Sequence, residues 1–236
     1  MVEMNARVLD RRTFVRAALA TGGAVLSGFL LSGCVQQEEP AQAPVQEPQA
    51  SQNAPKASSS SLVMYFTCPE PTGSDTVAGA SRVVVDGTLY GNIEYISTLI
   101  ANRTGSDVFV IETVQEYPAD HDELIDFAVA EMDAGTLPEL QTPVVDLSNY
   151  DTVFLGYPIW NAQLPMPVRT VLGEADFADK TIVCFTVHGG SAFGGTLRQI
   201  RAAEPGANVV EGFSVSRNSV GAAAPDVDSW LSELGY

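Results

Sequence analysis

The sequence of 236 residues carries 12 Lys and Arg against 29 Asp and Glu, a formal net charge of −17 at pH 7. Because proteins that bind nucleic acid depend on basic patches, this balance argues against a nucleic-acid partner. The acidity is compatible with a basic protein partner, with repulsion from anionic lipid, or with surface solubility alone. About 175 residues remain after an N-terminal export signal and a tether, which suits one domain with a single core.

The N-terminus has the pattern of a bacterial export signal. Residues 10–16 (DRRTFVR) resemble the twin-arginine motif, and the apolar residues 17–31 are too few for a membrane-spanning helix. Residues 31–34 (LSGC) then resemble the lipobox of bacterial lipoproteins, in which the cysteine is acylated. We therefore predict a signal peptide over residues 1–33 and a lipid on Cys34, which would anchor the protein outside the cytoplasm to the bacterial cell membrane.

Residues 34–60 are rich in Gln, Pro, Ala, Ser and Glu and contain almost no large apolar residue. Such a segment cannot bury enough surface to offset the entropy of ordering it, so we predict a disordered tether. The folded domain is then residues 61–236. The twin-arginine resemblance also implies that the protein is exported already folded, as is common for proteins that receive a cofactor in the cytoplasm.

The domain alternates between short apolar runs and amphipathic stretches. The runs predict five strands, at residues 62–66, 107–112, 152–156, 181–187 and 208–215. The amphipathic stretches predict helices at residues 91–103, 119–134, 166–172, 194–203 and 225–234. Strands that alternate with helices indicate an α/β fold of three layers, a doubly wound parallel sheet of five strands with helices on both faces.

Three loops after predicted strands carry unusual residues, and open α/β sheets bind ligands beyond the carboxyl ends of their strands. Thr67 precedes a long polar excursion that ends in Gly91-Asn92 at a helix start, where backbone N–H groups could hold a phosphate. Asn92 could equally be an ordinary N-cap. In residues 157–161 (YPIWN) we expect an exposed tryptophan that offers a platform for a flat ligand. The glycine-rich loop after the fourth predicted strand could bring backbone amides against the ligand.

The run 155–160 (LGYPIW), followed by Leu164-Pro165 and by residues 188–191 (HGGS), resembles the flavodoxin-like domains. The flavodoxin-type proteins of anaerobic and Gram-positive bacteria are particularly similar. The resemblance covers about residues 62–236. It implies the strand order 2-1-3-4-5 and a non-covalently bound FMN, with the phosphate in the first loop and the isoalloxazine ring between the second and third.

The resemblance also implies which residues form the cofactor site. The first loop would hold the phosphate, the second would flank the flavin ring with Trp160 as the stacking aromatic, and the third would line the pyrimidine and N5 side of the ring. The implied residues are Thr67, Gly91, Asn92 and Ile93 in the first loop, Pro158, Ile159, Trp160 and Asn161 in the second, and Thr186, His188, Gly189, Gly190 and Ser191 in the third.

The first loop departs from the family pattern in two ways. Residues 68–89 interrupt it, and Ile93 stands where the family has a hydroxyl, whose loss could cost about 1 kcal/mol of binding. The insertion includes residues 83–89 (VVVDGTL), in which Asp-Gly between apolar residues predicts a type I′ hairpin. The hairpin could lie across the phosphate, with Ser81 or Arg82 supplying the missing contact, or it could be only a structural flap.

The remaining polar residues indicate no second site. His188 could hydrogen-bond the flavin, donate a proton or be structural, and His121, at a predicted helix start, is expected at the surface. Two distant histidines without paired cysteines lack metal-ligand spacing. We expect no disulfide between Cys68 and Cys184, because the first and fourth strands are not neighbours in the order 2-1-3-4-5. Asn161 stands where the family often has an aromatic residue or a glycine, which leaves the tuning of the flavin open.

These observations predict an FMN protein that transfers electrons outside the cytoplasm, to a redox protein or a small electron acceptor. One alternative is an FMN-dependent reductase that acts on quinone with NAD(P)H bound on the flavin face. Another is a lipoprotein without flavin that binds a partner through an exposed surface at residues 157–160. The sequence contains neither a Gly-x-Ser-x-Gly elbow nor a dinucleotide-binding glycine fingerprint, so acyl transfer and a separate nucleotide site are not indicated.

Overall fold

The structure, a computed structural model, describes residues 60–69, 81–118 and 120–236. The predicted signal peptide, residues 1–33, lies outside the described residues, as does all of the predicted tether except Ser60. The predicted lipidation site, Cys34, therefore lies outside them as well. Within the described part of the chain, no helix has the length and apolarity that crossing a membrane requires.

Seven strands in the described residues form two sheets. They are β1 (Ser61–Phe66), β2 (Arg82–Val85), β3 (Thr88–Gly91), β4 (Asp107–Ile111), β5 (Thr152–Pro158), β6 (Thr181–His188) and β7 (Asn208–Ser216). Five of them form a parallel sheet in the order β4-β1-β5-β6-β7, whereas β2 and β3 form an antiparallel hairpin. Counted along the chain without the hairpin, the parallel sheet has the order 2-1-3-4-5, so the predicted topology is confirmed.

Helices cover both faces of the parallel sheet. They are α1 (Asn92–Thr104), α2 (His121–Ala134), α3 (Met166–Glu174), α4 (Thr196–Ala203) and α5 (Ala224–Glu233). On one face, Val63 of β1 belongs to the same buried cluster as Ile96 of α1. On the other face, Met64 of β1 shares a buried cluster with Val168 of α3. Adjacent residues of β1 therefore point into two different cores, which explains its uninterrupted apolar run and confirms the three-layer prediction.

The described residues of the insertion from Ser81 onward form the predicted hairpin. Asp86 and Gly87 both have positive φ, 50° and 78°, as a type I′ turn requires. β3 ends at Gly91 and α1 begins at the next residue, so the hairpin continues directly into the helix. On its inner side, Val83 packs close to Gly221, in a 3₁₀ turn that follows β7. The hairpin therefore lies beside the carboxyl edge of the parallel sheet.

An N-cap at Asp120 sets the start of α2 two residues later than the predicted start at residue 119. The Asp120 carboxylate accepts hydrogen bonds from the backbone N–H groups of Asp122 and Glu123, at 2.9 and 3.1 Å. These bonds satisfy amides that have no partner inside the helix, so the helix begins at His121. His121 is half-buried and faces the carboxyl edge of the sheet.

Candidate cofactor site

A cleft of about 740 Å³ lies at the carboxyl edge of the parallel sheet. The residues that follow β1, β4, β5 and β6 line it, together with the first turns of α1 and α2. Because parallel strands end at one edge, loops that are distant in sequence meet there. The volume falls within the range of roughly 300–1,000 Å³ that is usual for sites that bind small molecules and cofactors.

In the first loop, Thr67 lies directly against the start of α1. A Cβ atom on Gly91 would come within 2.6 Å of the Thr67 Oγ1 atom, so this approach requires glycine. The structure thus brings Thr67 next to Gly91 despite the long insertion between them. Thr67, Asn92 and Ile93 all line the cleft, whereas Gly91 lies behind Thr67.

Two backbone N–H groups at the start of α1 have partners within the chain. The Gly91 N–H donates to Glu94 Oε2 at 2.8 Å, and the Asn92 N–H donates to the carbonyl oxygen of Ser81 at 2.8 Å. Gly91 is the N-cap residue, so the interpretation of Asn92 as the N-cap is wrong. Ile93 is 2% exposed and packs into the core. The loop therefore offers an anion fewer donors than a bare helix start would.

The second loop places its tryptophan inside the protein. Trp160 is only 6% exposed, and its ring makes edge contacts with Phe66 and Tyr117 at centroid distances of 5.3 and 5.1 Å. The prediction of an exposed tryptophan is wrong, because an aromatic residue at the end of β1 and another in the loop after β4 cover it. Trp160 nevertheless lines the cleft, as do Pro158 and Ile159. Tyr157 is fully buried, so residues 157–160 do not form an exposed partner surface.

Asn161 lies at the tip of a tight turn outside the cleft lining. Trp160 and Gln163 are paired through their backbones, and Asn161 and Ala162 between them have φ values of 46° and 58°. Asparagine adopts this left-handed conformation more readily than most residues, which gives it a local reason to be there. The Ala162 carbonyl also lies 3.0 Å from where a Cβ of Gly194 would be, so the second and third loops touch.

The third loop contributes His188 and Gly189 to the cleft. The Gly190 N–H donates to His188 Nδ1 at 2.9 Å, so a neutral ring carries its proton on Nε2. Burial lowers the pKa of His188 below its ordinary value, which favours that neutral form. Gly190 and Ser191 are exposed and lie outside the cleft lining.

Thr186 is not brought into the cleft. It is 1% exposed, and its hydroxyl donates to the Tyr157 carbonyl oxygen at 2.6 Å. Its role is to hold neighbouring strands β5 and β6 together just below the cleft floor. Of the residues that the resemblance implied, the cleft lining therefore includes Thr67, Asn92, Ile93, Pro158, Ile159, Trp160, His188 and Gly189.

The loop after β4 supplies a wall that the sequence analysis missed. Tyr117 lines the cleft beside Trp160, and its hydroxyl donates to the buried Glu131 carboxylate at 2.9 Å. Gln115 donates to both the Tyr117 hydroxyl and Glu131. Burial and the Glu131 charge raise the pKa of Tyr117 far above its ordinary value, so it remains a hydroxyl donor. His121, expected at the surface, also lines the cleft.

Arg217 is a second missed residue. It comes directly after β7, and its guanidinium lies against Gly189, so that a Cβ there would be 3.3 Å from one terminal nitrogen. Among the described residues that line the cleft, Arg217 is the only lysine or arginine, whereas three carboxylates lie in the same lining: Glu94, Glu112 and Glu116. The carboxyl-end rule applied to β7 would have found Arg217.

Comparisons with known proteins agree with this architecture. A family model described as Flavodoxin matches residues 83–234. A candidate flavoprotein of Bacteroides uniformis is 24% identical, with 73% of this chain and 97% of that chain covered and a TM-score of 0.57. A flavoprotein of Lactobacillus acidophilus, solved in complex with FMN, is 17% identical, with 73% and 99% covered and a TM-score of 0.50. At these identities the likeness to the two structures is one of fold. No curated protein sequence matches the chain.

The hydrogen bond between Tyr117 and Glu131 in the cleft wall should contribute to the stability of the fold. Tyr117→Phe removes a hydroxyl that donates to the buried Glu131 carboxylate, so we expect the free energy of unfolding to fall by about 1–3 kcal/mol. Tyr150→Phe is the matched control, because the Tyr150 hydroxyl donates to Asp107 Oδ2 at an exposed position and its loss should cost less than about 1 kcal/mol. Urea unfolding of both full-length variants measures the difference. Equal losses would contradict a special role for the Tyr117–Glu131 bond.

Proposed function

This chain belongs to the flavodoxin family, and from that premise we propose that it holds FMN non-covalently and carries electrons outside the cytoplasm. The observation that supports the proposal most is the convergence of three loops on one cleft. Thr67, Trp160 and His188, which are far apart in the sequence, line it together. Aromatic and aliphatic side chains with a few polar groups are the usual lining of a cofactor site.

The donor set of the cleft fits FMN. Pro158, Ile159 and Trp160 provide an apolar wall for a flat ring. Thr67 provides a hydroxyl beside the start of α1, and Arg217, which lies against Gly189, provides a positive charge in the same lining. When bound, FMN supplies reversible electron-transfer chemistry. The protein then has to bind the cofactor, orient its ring and set its reduction potential.

The charged residues of the lining act on the potential. Glu94, Glu112 and Glu116 place negative charge at the cleft, which disfavours further negative charge on the cofactor and so lowers its reduction potential. His188 remains a neutral donor through Nε2, because its Nδ1 is held by the Gly190 N–H. The cleft lining thus combines an uncharged hydrogen-bond donor, His188, with three acidic side chains.

The first test is an ultraviolet-visible titration of the full-length chain with FMN. We expect flavin bands to shift on binding, and we expect Trp160→Ala to weaken binding by about tenfold or more because it removes part of the apolar wall. Trp230→Ala is the matched control, since Trp230 packs against Phe154 and Phe213 away from the cleft. If the wild-type chain binds no FMN, the proposal fails; if both variants lose affinity equally, Trp160 has no specific role.

A second candidate is an FMN-dependent reductase for quinone or another small acceptor. One observation favours it: the cleft continues past the aromatic wall to α2, where His121, Leu124 and Ile125 line it. That extension gives a small acceptor a place beside the cofactor.

Steady-state turnover separates the two candidates. A carrier should show no sustained oxidation of NAD(P)H by the FMN-loaded full-length chain with quinone as acceptor, yet should be reduced once, stoichiometrically, by dithionite. Sustained turnover would favour the reductase. An Ile125→Arg variant tests the acceptor position, because a reductase should lose turnover while its FMN affinity is retained.

We also propose a location and a partner for the protein. The proposal places the domain on the outer side of the cell membrane, tethered through Cys34, because residues 10–16 and 31–34 resemble a twin-arginine motif and a lipobox. The net charge of −17 favours a basic redox protein as partner over an acidic one. A small electron acceptor remains compatible with the same site.

Cell fractionation tests the location. The wild-type chain should be recovered with the membrane, and Cys34→Ser should move it to the soluble fraction because the acylated residue is lost. Cys68→Ser is the control, since Cys68 lies within the folded domain and should leave the distribution unchanged. Soluble wild-type protein would contradict the lipid anchor.

A further inference from the structure

The start of α1 does not offer a complete phosphate site. The Gly91 N–H is engaged by the Glu94 carboxylate and the Asn92 N–H by the Ser81 carbonyl, both at 2.8 Å. Ile93 contributes no hydroxyl, because its side chain is a hydrocarbon, and it is buried in the core. Three contacts that a helix start could give to a phosphate are thus diverted or missing. A phosphate there needs another donor.

The cleft also needs a positive charge. Three carboxylates line it, and one of them, Glu94, lies within the first turn of α1. A phosphate carries up to two negative charges, so these groups oppose its entry unless a cation offsets them. Arg217 is the only lysine or arginine among the described residues in that lining. An arginine suits the role, because its planar fork of N–H groups matches phosphate oxygens.

The position of Arg217 is built into the fold. The 3₁₀ turn Arg217–Ala222 follows β7 and packs against the inserted hairpin, where Val83 meets Gly221. The guanidinium lies close to Gly189, with one terminal nitrogen, the central carbon and Nε at 3.3, 3.6 and 3.9 Å from a Cβ placed there. Glycine at position 189 therefore leaves room for the arginine.

We propose that Arg217 binds the phosphate of FMN and makes the cleft select phosphorylated flavin over riboflavin. The inference rests on the proposed function and extends it to a residue outside the three loops that the resemblance implied. From the sequence, Ser81 or Arg82 could supply this contact, or the hairpin could be only a structural flap. Ser81 also lines the cleft, but its hydroxyl is uncharged, and Arg82 lies outside the cleft lining.

The test compares two ligands that differ only in the phosphate. Fluorescence titrations measure the dissociation constants of FMN and riboflavin for the full-length chain and for Arg217→Gln. We expect wild-type protein to bind FMN more tightly, and we expect Arg217→Gln to weaken FMN by about tenfold or more while riboflavin changes by less than about twofold. Arg82→Gln is the matched control, because it removes the same charge from the neighbouring hairpin and should leave both constants nearly unchanged.

A second variant keeps the test informative if Arg217→Gln does not fold, which circular dichroism reveals. Gly189→Ala retains every charge but places a Cβ 3.3 Å from a terminal nitrogen of Arg217, so the guanidinium must shift and the ratio of FMN to riboflavin affinity should also fall. Equal losses for both flavins, no loss for either, or the same loss in Arg82→Gln would each overturn the inference. If wild-type protein binds both flavins equally, the inference fails and the proposed function stands; if it binds neither, both fail.

Discussion

The contact between Thr67 and Gly91 is the constraint on which the cleft depends. It holds the end of β1 against the start of α1, at a distance that only glycine permits. The same glycine ends the inserted hairpin and donates its N–H to Glu94. The strand, the hairpin and the helix therefore meet at one residue. Because this junction is fixed, the chain can carry a long insertion in its first loop and still bring that loop to the edge of the sheet.

The architecture could be predicted from the sequence because its causes are local and periodic. Runs such as 62–66 are apolar throughout, since both faces of a central parallel strand are buried. Helical stretches between such runs then leave little choice of topology, and right-handed crossovers restrict it further. The hairpin could also be predicted, because Asp86-Gly87 between apolar residues favours a type I′ turn. Glu94, three residues after Gly91, is the sequence sign of the true N-cap.

The site could be predicted only in part, because burial depends on partners that the sequence does not reveal. Trp160 follows a strand and looks exposed, but Phe66 at the end of β1 and Tyr117 in the loop after β4 are distant in the chain and cover it. Thr186 has the polar side chain expected of a binding residue, yet its nearest acceptor is a backbone carbonyl in the next strand. Arg217 was missed for a different reason: it follows the edge strand, and only the inner strands and the first loop were considered.

The hydrogen bond between the Asn92 N–H and the Ser81 carbonyl has a consequence for how this fold can vary. It brings the two ends of the hairpin to within 2.8 Å of each other. A segment whose ends nearly coincide can be lengthened, shortened or exchanged as a module, because the flanking strand and helix need not move to accommodate it. Chains of this architecture are therefore free to differ in length at this point while keeping the same sheet. The hairpin is therefore a replaceable unit, and any specificity that it confers can be gained or lost in one step.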